Sequence, residues 1–385
     1  MRGNFRIWLS APEVFPEDAE AAAKAVQSGW LAPAGPQLDA FEDHLATVCQ
    51  VPYVLATQTG TAALHLALHL AGVAPGKQVL LPALTYIATA NPVRYLGGEP
   101  VLVDTLADDI HSDWSGALHW LEQEGIRPQA ILPVHLMGQG QALGELKSWA
   151  EQNKIPLIED AAEALGVTIE GRPVGSLARF GVLSFNGNKL ITASGGGALL
   201  CQRAEDYHSA KQLAAQARDK TQQLAYHHSA VGYNYRMSNL NAALALAQLK
   251  RLPERIARRK WRAEQYRQAL PQAELPIRWL PAQKGVEPNY WLNVLFFDSA
   301  ISPLQIDELQ KALHSLGIET RRVWKPLHLQ PPYRACKLIT RSAGAPYADT
   351  HYQQGLCLPS GGGVTEQVIA EIAATVRTFI QQVAN

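Results

Sequence analysis

Residues 179–200 read RFGVLSFNGNKLITASGGGALL. Two apolar runs bracket a polar loop, Asn186-Gly187-Asn188, then Lys189, then the triplet Gly195-Gly196-Gly197. Runs this short, bounded by glycine and polar residues, predict buried strands. A lysine between buried strands either reaches water or has a task, because burying an ammonium is costly and lowers its pKa. A lysine with a lowered pKa is the nucleophile that makes Schiff bases. A strand-end lysine pointing into solvent is the plain alternative, and this loop alone does not decide between them.

The chain upstream alternates strands and helices. Gln78–Pro82, Pro100–Val103, Ala130–Leu136 and Ile155–Ile158 read as strands, with Glu159-Asp160 following the last. Thr85–Leu96, Trp114–Glu124 and Leu143–Asn153 read as helices between them. The expected architecture is α/β, a mainly parallel sheet covered by helices on both faces. Ligands in such a sheet bind at the carboxyl ends of the strands. Gly60, Tyr86, Asp160 and Lys189 all lie at or just past such ends. Before the first of them, a Val51–Leu55 strand passes through Thr57-Gln58-Thr59-Gly60-Thr61 into an Ala62–Ala71 helix. The free N–H groups of a first helical turn hold phosphate. The other reading is an ordinary helix capped by Thr59 or Thr61.

Three regions are expected: an N-terminal arm (1–35), a large domain (36–250), and a linking helix with a smaller C-terminal α/β domain (251–385). The arm carries a helix opening at Pro16 and a loop exposing Trp30 and Leu31, and a helix over Gln37–Val48 follows it. A helix over roughly Asn239–Leu270 carries Lys250, Arg251, Arg255, Arg258, Arg259, Lys260 and Arg262, which read as a solvated face. Gly138-Gln139-Gly140, with Glu159 about 20 residues on, imitates a dinucleotide fingerprint. Its third glycine position is Leu143, which argues against a dehydrogenase.

Lys+Arg equals Asp+Glu at 34 each, so no basic excess points to nucleic acid. No apolar run approaches the roughly 18 residues of a membrane span. The start lacks the apolar core of a signal peptide, so a cytoplasmic location is expected. Cys49, Cys201, Cys336 and Cys357 form no CxxC pair and read as free thiols.

An acid at a strand end, a lysine 29 residues later, a phosphate-type turn and an aromatic beyond another strand are the parts pyridoxal phosphate requires. The sequence resembles the DegT/DnrJ/EryC1/StrS sugar aminotransferases, fold-type I pyridoxal-phosphate enzymes, over nearly its whole length. The motifs are TGTAALHLAL (59–68), PALTYIATANPV (82–93), IEDAAEALG (158–166), SFNGNKLITASGGG (184–197), GYNYRMSNLNAAL (232–244) and RRVWKPLHLQP (321–331). The resemblance implies that Lys189 forms the Schiff base and carries the proton, and that Asp160 pairs with the pyridine nitrogen. It implies that Tyr86 stacks on the ring, and that Gly60, Thr61 and Ser184 hold the phosphate. Asn234 is implied to reach the phosphate of the neighbouring subunit, making a homodimer with shared sites. Glu163 stands where the family usually has glutamine near the ring hydroxyl, where a second negative group would repel. Retention of lysine, where the related dehydratases carry histidine, implies an aminotransferase. Its implied partners are L-glutamate/2-oxoglutarate and a nucleotide-linked keto sugar, by branch a UDP-linked 2-acetamido-4-keto-6-deoxy sugar for surface polysaccharide or glycan synthesis. Arg236, Arg321, Arg322 and Lys325 are candidate anion partners, and His135 and Trp324 weaker candidates for the cleft.

Overall fold

The computed structural model describes residues 5–219 and 226–384. Seven strands build the large sheet: β1 (Tyr53–Thr57), β2 (Gln78–Pro82), β3 (Glu99–Val103), β4 (Ala130–Ile131), β5 (Ile158–Asp160), β6 (Phe180–Ser184) and β7 (Gly197–Cys201). Their spatial order is β3-β2-β4-β5-β6-β7-β1, with β4 and β5 joined by parallel bridges at Ile131/Leu157 and Val134/Asp160. Every pairing is parallel except those of β7, which runs antiparallel to both β6 and β1. Parallel neighbours need a crossover, usually a helix. The chain between β6 and β7 spends residues 185–196 on the lysine loop and carries no helix, so it returns antiparallel.

Both faces are covered, as alternation along β1 shows. Leu55 enters a core shared with Leu64, Leu66 and Leu68 of the Gly60–Leu70 helix. Val54 and Ala56 enter another, shared with Leu38, Phe41 and Leu45 of the Pro36–Cys49 helix. Period-two alternation sends neighbouring side chains to opposite faces. A third core lies in the C-terminal part, around an antiparallel sheet of Ile277–Trp279, Asn293–Phe297, Gly355–Leu358 and Arg321–Arg322. Two segments cross the expected regional boundaries. Ile7 packs in the third core, and Leu338–Ile339 adds to the edge of the large sheet beside β3.

Three elements differ from the sequence reading for local reasons. The strand expected over Ala130–Leu136 keeps regular pairing only at Ala130–Ile131; Pro133 has no N–H to offer a ladder. The helix expected over Thr85–Leu96 is a 3-10 turn, Ile87–Thr89, followed by Asn91–Tyr95, with Pro92 at the start of the second. The long helix from Asn239 breaks after Lys250 and restarts as Leu252–Ala269, with Pro253 in its first turn.

The basic helix is not a uniformly solvated face. Arg255, Arg259 and Arg262 are buried and clamp the N-terminal arm. Arg255 pairs with Asp18 at 2.9 Å, the two side chains 2% and 0% exposed. Arg262 pairs with Glu13, and Arg259 donates to Ser10 Oγ and to the Trp291 carbonyl. Removing one partner of a buried pair leaves an uncompensated charge. Arg255→Ala is therefore expected to lower unfolding free energy by about 3–5 kcal/mol, read from denaturant midpoints. A midpoint equal to the parent's would show that the arm is not anchored there.

Candidate active site

The turn ahead of the Gly60–Leu70 helix is capped by Thr59, whose hydroxyl accepts the Ala62 N–H at 3.0 Å. That leaves the N–H groups of Gly60 and Thr61 without an intrahelical carbonyl, which is what an anion site needs. The cap and the unpaired N–H groups thus coexist on one turn, so the two readings do not exclude each other. Ser184, at the end of β6, lies against the turn: a Cβ on Gly60 would stand 3.1 Å from Ser184 Cβ. Gly197 closes the cup from β7. Any side chain there would come within 2.4 Å of the Gly60 nitrogen, so this position of the glycine triplet permits the close approach.

Lys189 lies across the strand ends, its side chain 14% exposed. The solvent-pointing alternative fails on that observation. Its Nζ is 3.9 Å from Glu163 Oε1 and 4.1 Å from the centre of the Trp291 ring. Asp160 is buried at the end of β5, accepting the Thr89 hydroxyl at 2.8 Å and the Ala162 N–H at 3.1 Å. Burial pushes both Asp160 and Glu163 above the usual carboxylate range, and Lys189 pulls each back. Burial likewise holds Lys189 below the ordinary lysine value, against the opposing pull of Glu163 and Asp160. The lysine thus loses its proton more readily than a surface lysine, and two acids stand beside it.

The structure supplies a local reason for Glu163 in place of an amide. Its Oε2 accepts the Met137 N–H at 2.7 Å, and its Oε1 accepts the Trp324 indole N–H at 3.0 Å. Two donors facing two oxygens suit a carboxylate; glutamine would turn its NH2 toward one of them. Glu163→Gln is expected to cost about 1–3 kcal/mol of stability. It should also lower the Lys189 pKa further, because the carboxylate's charge favours the ammonium. The check is a denaturation midpoint together with the pH dependence of Lys189 reactivity; an unchanged midpoint would mean the amide is accommodated.

Tyr86 is 52% exposed at the end of β2, its ring 5.0 Å from that of Trp324. Trp324 therefore lines the site, bridging Glu163 and Tyr86. Asn234 is exposed on a segment lying beside β1, where the Gln58 N–H donates to the Tyr235 carbonyl.

Other candidates are committed to the fold. Arg236 pairs with buried Glu42 at 2.7 Å. Arg321 pairs with Glu319 and Arg322 with Asp307, each at 2.8 Å. His135 is fully buried, accepting the Gln141 N–H on Nδ1 and meeting Glu159 through Nε2. Lys325 is exposed next to Trp324.

The dinucleotide imitation is resolved too. The Glu159 carboxylate is consumed by the N–H groups of Gly175, Leu177 and Ala178 and by His135. Gly138 (φ +80°) is needed because a Cβ would strike Asn289 and Trp291. Sequence reasoning missed Thr89, Met137 and Trp291. Thr89 lies within the PALTYIATANPV motif, but Trp291 carries no motif and stands 102 residues beyond Lys189.

An α/β sheet with one antiparallel strand, a buried lysine across its carboxyl ends, a paired strand-end acid and a phosphate turn define a fold-type I pyridoxal-phosphate aminotransferase. The chain belongs to the DegT/DnrJ/EryC1/StrS aminotransferase family, whose pattern matches residues 13–377. It is 36% identical to EpsN of Bacillus subtilis, named as a pyridoxal phosphate-dependent aminotransferase, over 94% of this chain and 92% of that one. It is 35% identical to the GDP-perosamine synthase of Caulobacter vibrioides, over 96% and 97% of the two chains. The PLP form of Spr1654 from Streptococcus pneumoniae superposes with a TM-score of 0.88 at 26% identity, covering 98% of this chain and 99% of that one. The protein is a pyridoxal-phosphate-dependent sugar aminotransferase. Among the described residues, no helix is long and apolar enough to cross a membrane.

Proposed function

We propose that the enzyme moves the amino group of L-glutamate to the C4 keto carbon of a nucleotide-linked keto-deoxy sugar. The observation that carries the chemistry is Lys189: a nearly buried amine, its pKa lowered by burial, 3.9 Å from Glu163. When bound, pyridoxal phosphate supplies the sink for the electrons left on the donor carbon once its proton departs. Lys189 would attach the cofactor, take that proton as general base, and return one to the sugar carbon as general acid. Asp160 would hold the ring nitrogen protonated, its carboxylate fixed by Thr89 and Ala162. Gly60, Thr61 and Ser184 would hold the phosphate, and Tyr86 would cover the ring. Glutamate leaves as 2-oxoglutarate, and the sugar leaves as an amine. Lys325 is the remaining free cation of the candidates for the sugar diphosphate, since Arg236, Arg321 and Arg322 have carboxylate partners. Exposed Asn234 is assigned to the phosphate of a neighbouring subunit, in a homodimer with shared sites.

For the nucleotide, the first reading is a UDP-linked 2-acetamido-4-keto-6-deoxy sugar, on branch resemblance. The 35% identity to a GDP-perosamine synthase favours a GDP-linked 4-keto sugar as the second. Incubation with glutamate and UDP-, GDP- and dTDP-linked 3-keto and 4-keto sugars, followed by mass and NMR identification of products, separates them. Turnover of 3-keto sugars alone would refute amination at C4.

A further inference from the structure

Trp291 sits where Lys189 needs support from two directions. It is 1% exposed and lies just ahead of the Asn293–Phe297 strand of the C-terminal sheet. Its ring face is 4.1 Å from Lys189 Nζ. Its indole Nε1–H donates to the carbonyl of Asn188, the residue just before the lysine, at 2.8 Å. The same carbonyl accepts the hydroxyl of Ser10, from the N-terminal arm, at 2.7 Å.

The mount behind the tryptophan is stiff. Asn289 Oδ1 accepts the Trp291 N–H at 2.8 Å, and Asn289 Nδ2 donates to the carbonyls of Glu163 and Leu165. The Asn289 N–H donates to the Gly138 carbonyl at 3.0 Å. Ser360 and buried Arg259 both donate to the Trp291 carbonyl, and Arg259 also donates to Ser10. One bonded frame therefore holds the indole, the Ser10 hydroxyl and the segments around Glu163.

We propose that Trp291 is the positioning residue of Lys189. Its ring face receives the lysine's amino group whenever that group is free of the cofactor. Its indole N–H and the Ser10 hydroxyl fix the carbonyl behind the lysine. An aromatic face suits this task because it attracts an ammonium without forming a covalent or ionic trap, and it offers nothing to the neutral amine that must attack. The inference rests on the aminotransferase chemistry above and not on the identity of the sugar.

The charged and titratable groups around the amine set what a pH measurement reads. Glu163 faces it directly, and Asp160 adds its charge, with His135 behind Asp160 and Cys357 behind Glu163. Arg259 reaches only the far side of the indole, at the backbone carbonyl. Tyr290, beside Trp291, lies under Arg267.

The test follows capture of pyridoxal phosphate by the cofactor-free, full-length chain. The visible absorbance of the lysine-bound cofactor is read against pH, in the parent and in W291F, W291L and S10A. Capture needs the neutral amine, so its pH midpoint reports Lys189, and its plateau rate at high pH reports orientation. Losing the ring face in W291L removes support for the ammonium and moves the midpoint down by about one pH unit. W291F keeps a face and moves it less, but loses the indole N–H. W291F and S10A each lower the plateau by about five-fold, the value of one hydrogen bond. A midpoint in W291L that stays put or rises would overturn the proposal, since a merely structural defect lets water in and raises it. If W291L does not fold, W291F and S10A decide, and parental plateaus in both would overturn it. Absence of any lysine-bound band in the parent would sink the Schiff-base role of Lys189 itself, a distinguishable failure.

Discussion

Lys189→Ala is expected to reduce turnover by roughly ten-thousand-fold to a million-fold, the range seen when a residue acting as both nucleophile and proton carrier is removed. The two tasks proposed for the side chain, attachment and proton transfer, are ones that no neighbour can take over. Asp160 and Glu163 are acids that cannot form a Schiff base, and both already accept donors. Arg236, Arg321 and Arg322 are paired. The variant should still bind pyridoxal phosphate, because the Gly60/Thr61 turn, Ser184 and Asp160 lie on other elements. It should do so without a visible band that borohydride abolishes. The fold should survive, since truncating Lys189 removes an amine held in place against the cost of burial. A Lys189→Ala protein that keeps a reducible band would show that the Schiff base forms elsewhere.

The parts of the site found in the sequence are those set by strand ends and local motifs. Asp160 and Lys189 sit at or just beyond carboxyl ends of adjacent parallel strands, β5 and β6, a relation that follows from β/α alternation. The Gly60–Thr61 turn was legible because strand, small residues and helix follow one another without interruption over Tyr53–Leu70. What was hidden depends on pairing across long separations. Trp291 and Ser10 meet the lysine loop only after the C-terminal sheet and the arm dock on it. The burial of Arg255, Arg259 and Arg262 could not be read from a run of positive charges, because its cause is the arm's Glu13, Asp18 and Ser10, more than 230 residues away. Arg236 looked available for the same reason: its partner, Glu42, lies 194 residues earlier. The antiparallel course of β7 was in principle readable, since the chain from β6 carries no helix.

Asp160→Asn separates charge from shape more cleanly than any other change at the site. Asparagine can keep the Ala162 N–H on its carbonyl oxygen, while its NH2 faces Thr89, whose hydroxyl can turn to accept. The carboxylate's charge is lost and the packing is kept. A buried ionic partner is worth about 3–5 kcal/mol when removed singly, which corresponds to a fall of roughly a hundred-fold to ten-thousand-fold in the rate with glutamate. Stability should move the other way. Burial raises the Asp160 pKa in the folded chain, so the ionised carboxylate opposes folding at neutral pH. Asparagine removes that opposition. The cofactor-free variant should therefore be more stable than the parent at pH 7. That gain should vanish as pH falls below the unfolded carboxylate value of about 3.9, where both states of the parent bind the proton. Denaturation at several pH values gives the stability curve, and single-turnover reaction with glutamate gives the rate. A variant within three-fold of the parental rate would remove Asp160 from the mechanism. One that is slow but no more stable at pH 7 would mean that burial does not raise the Asp160 pKa in the cofactor-free fold.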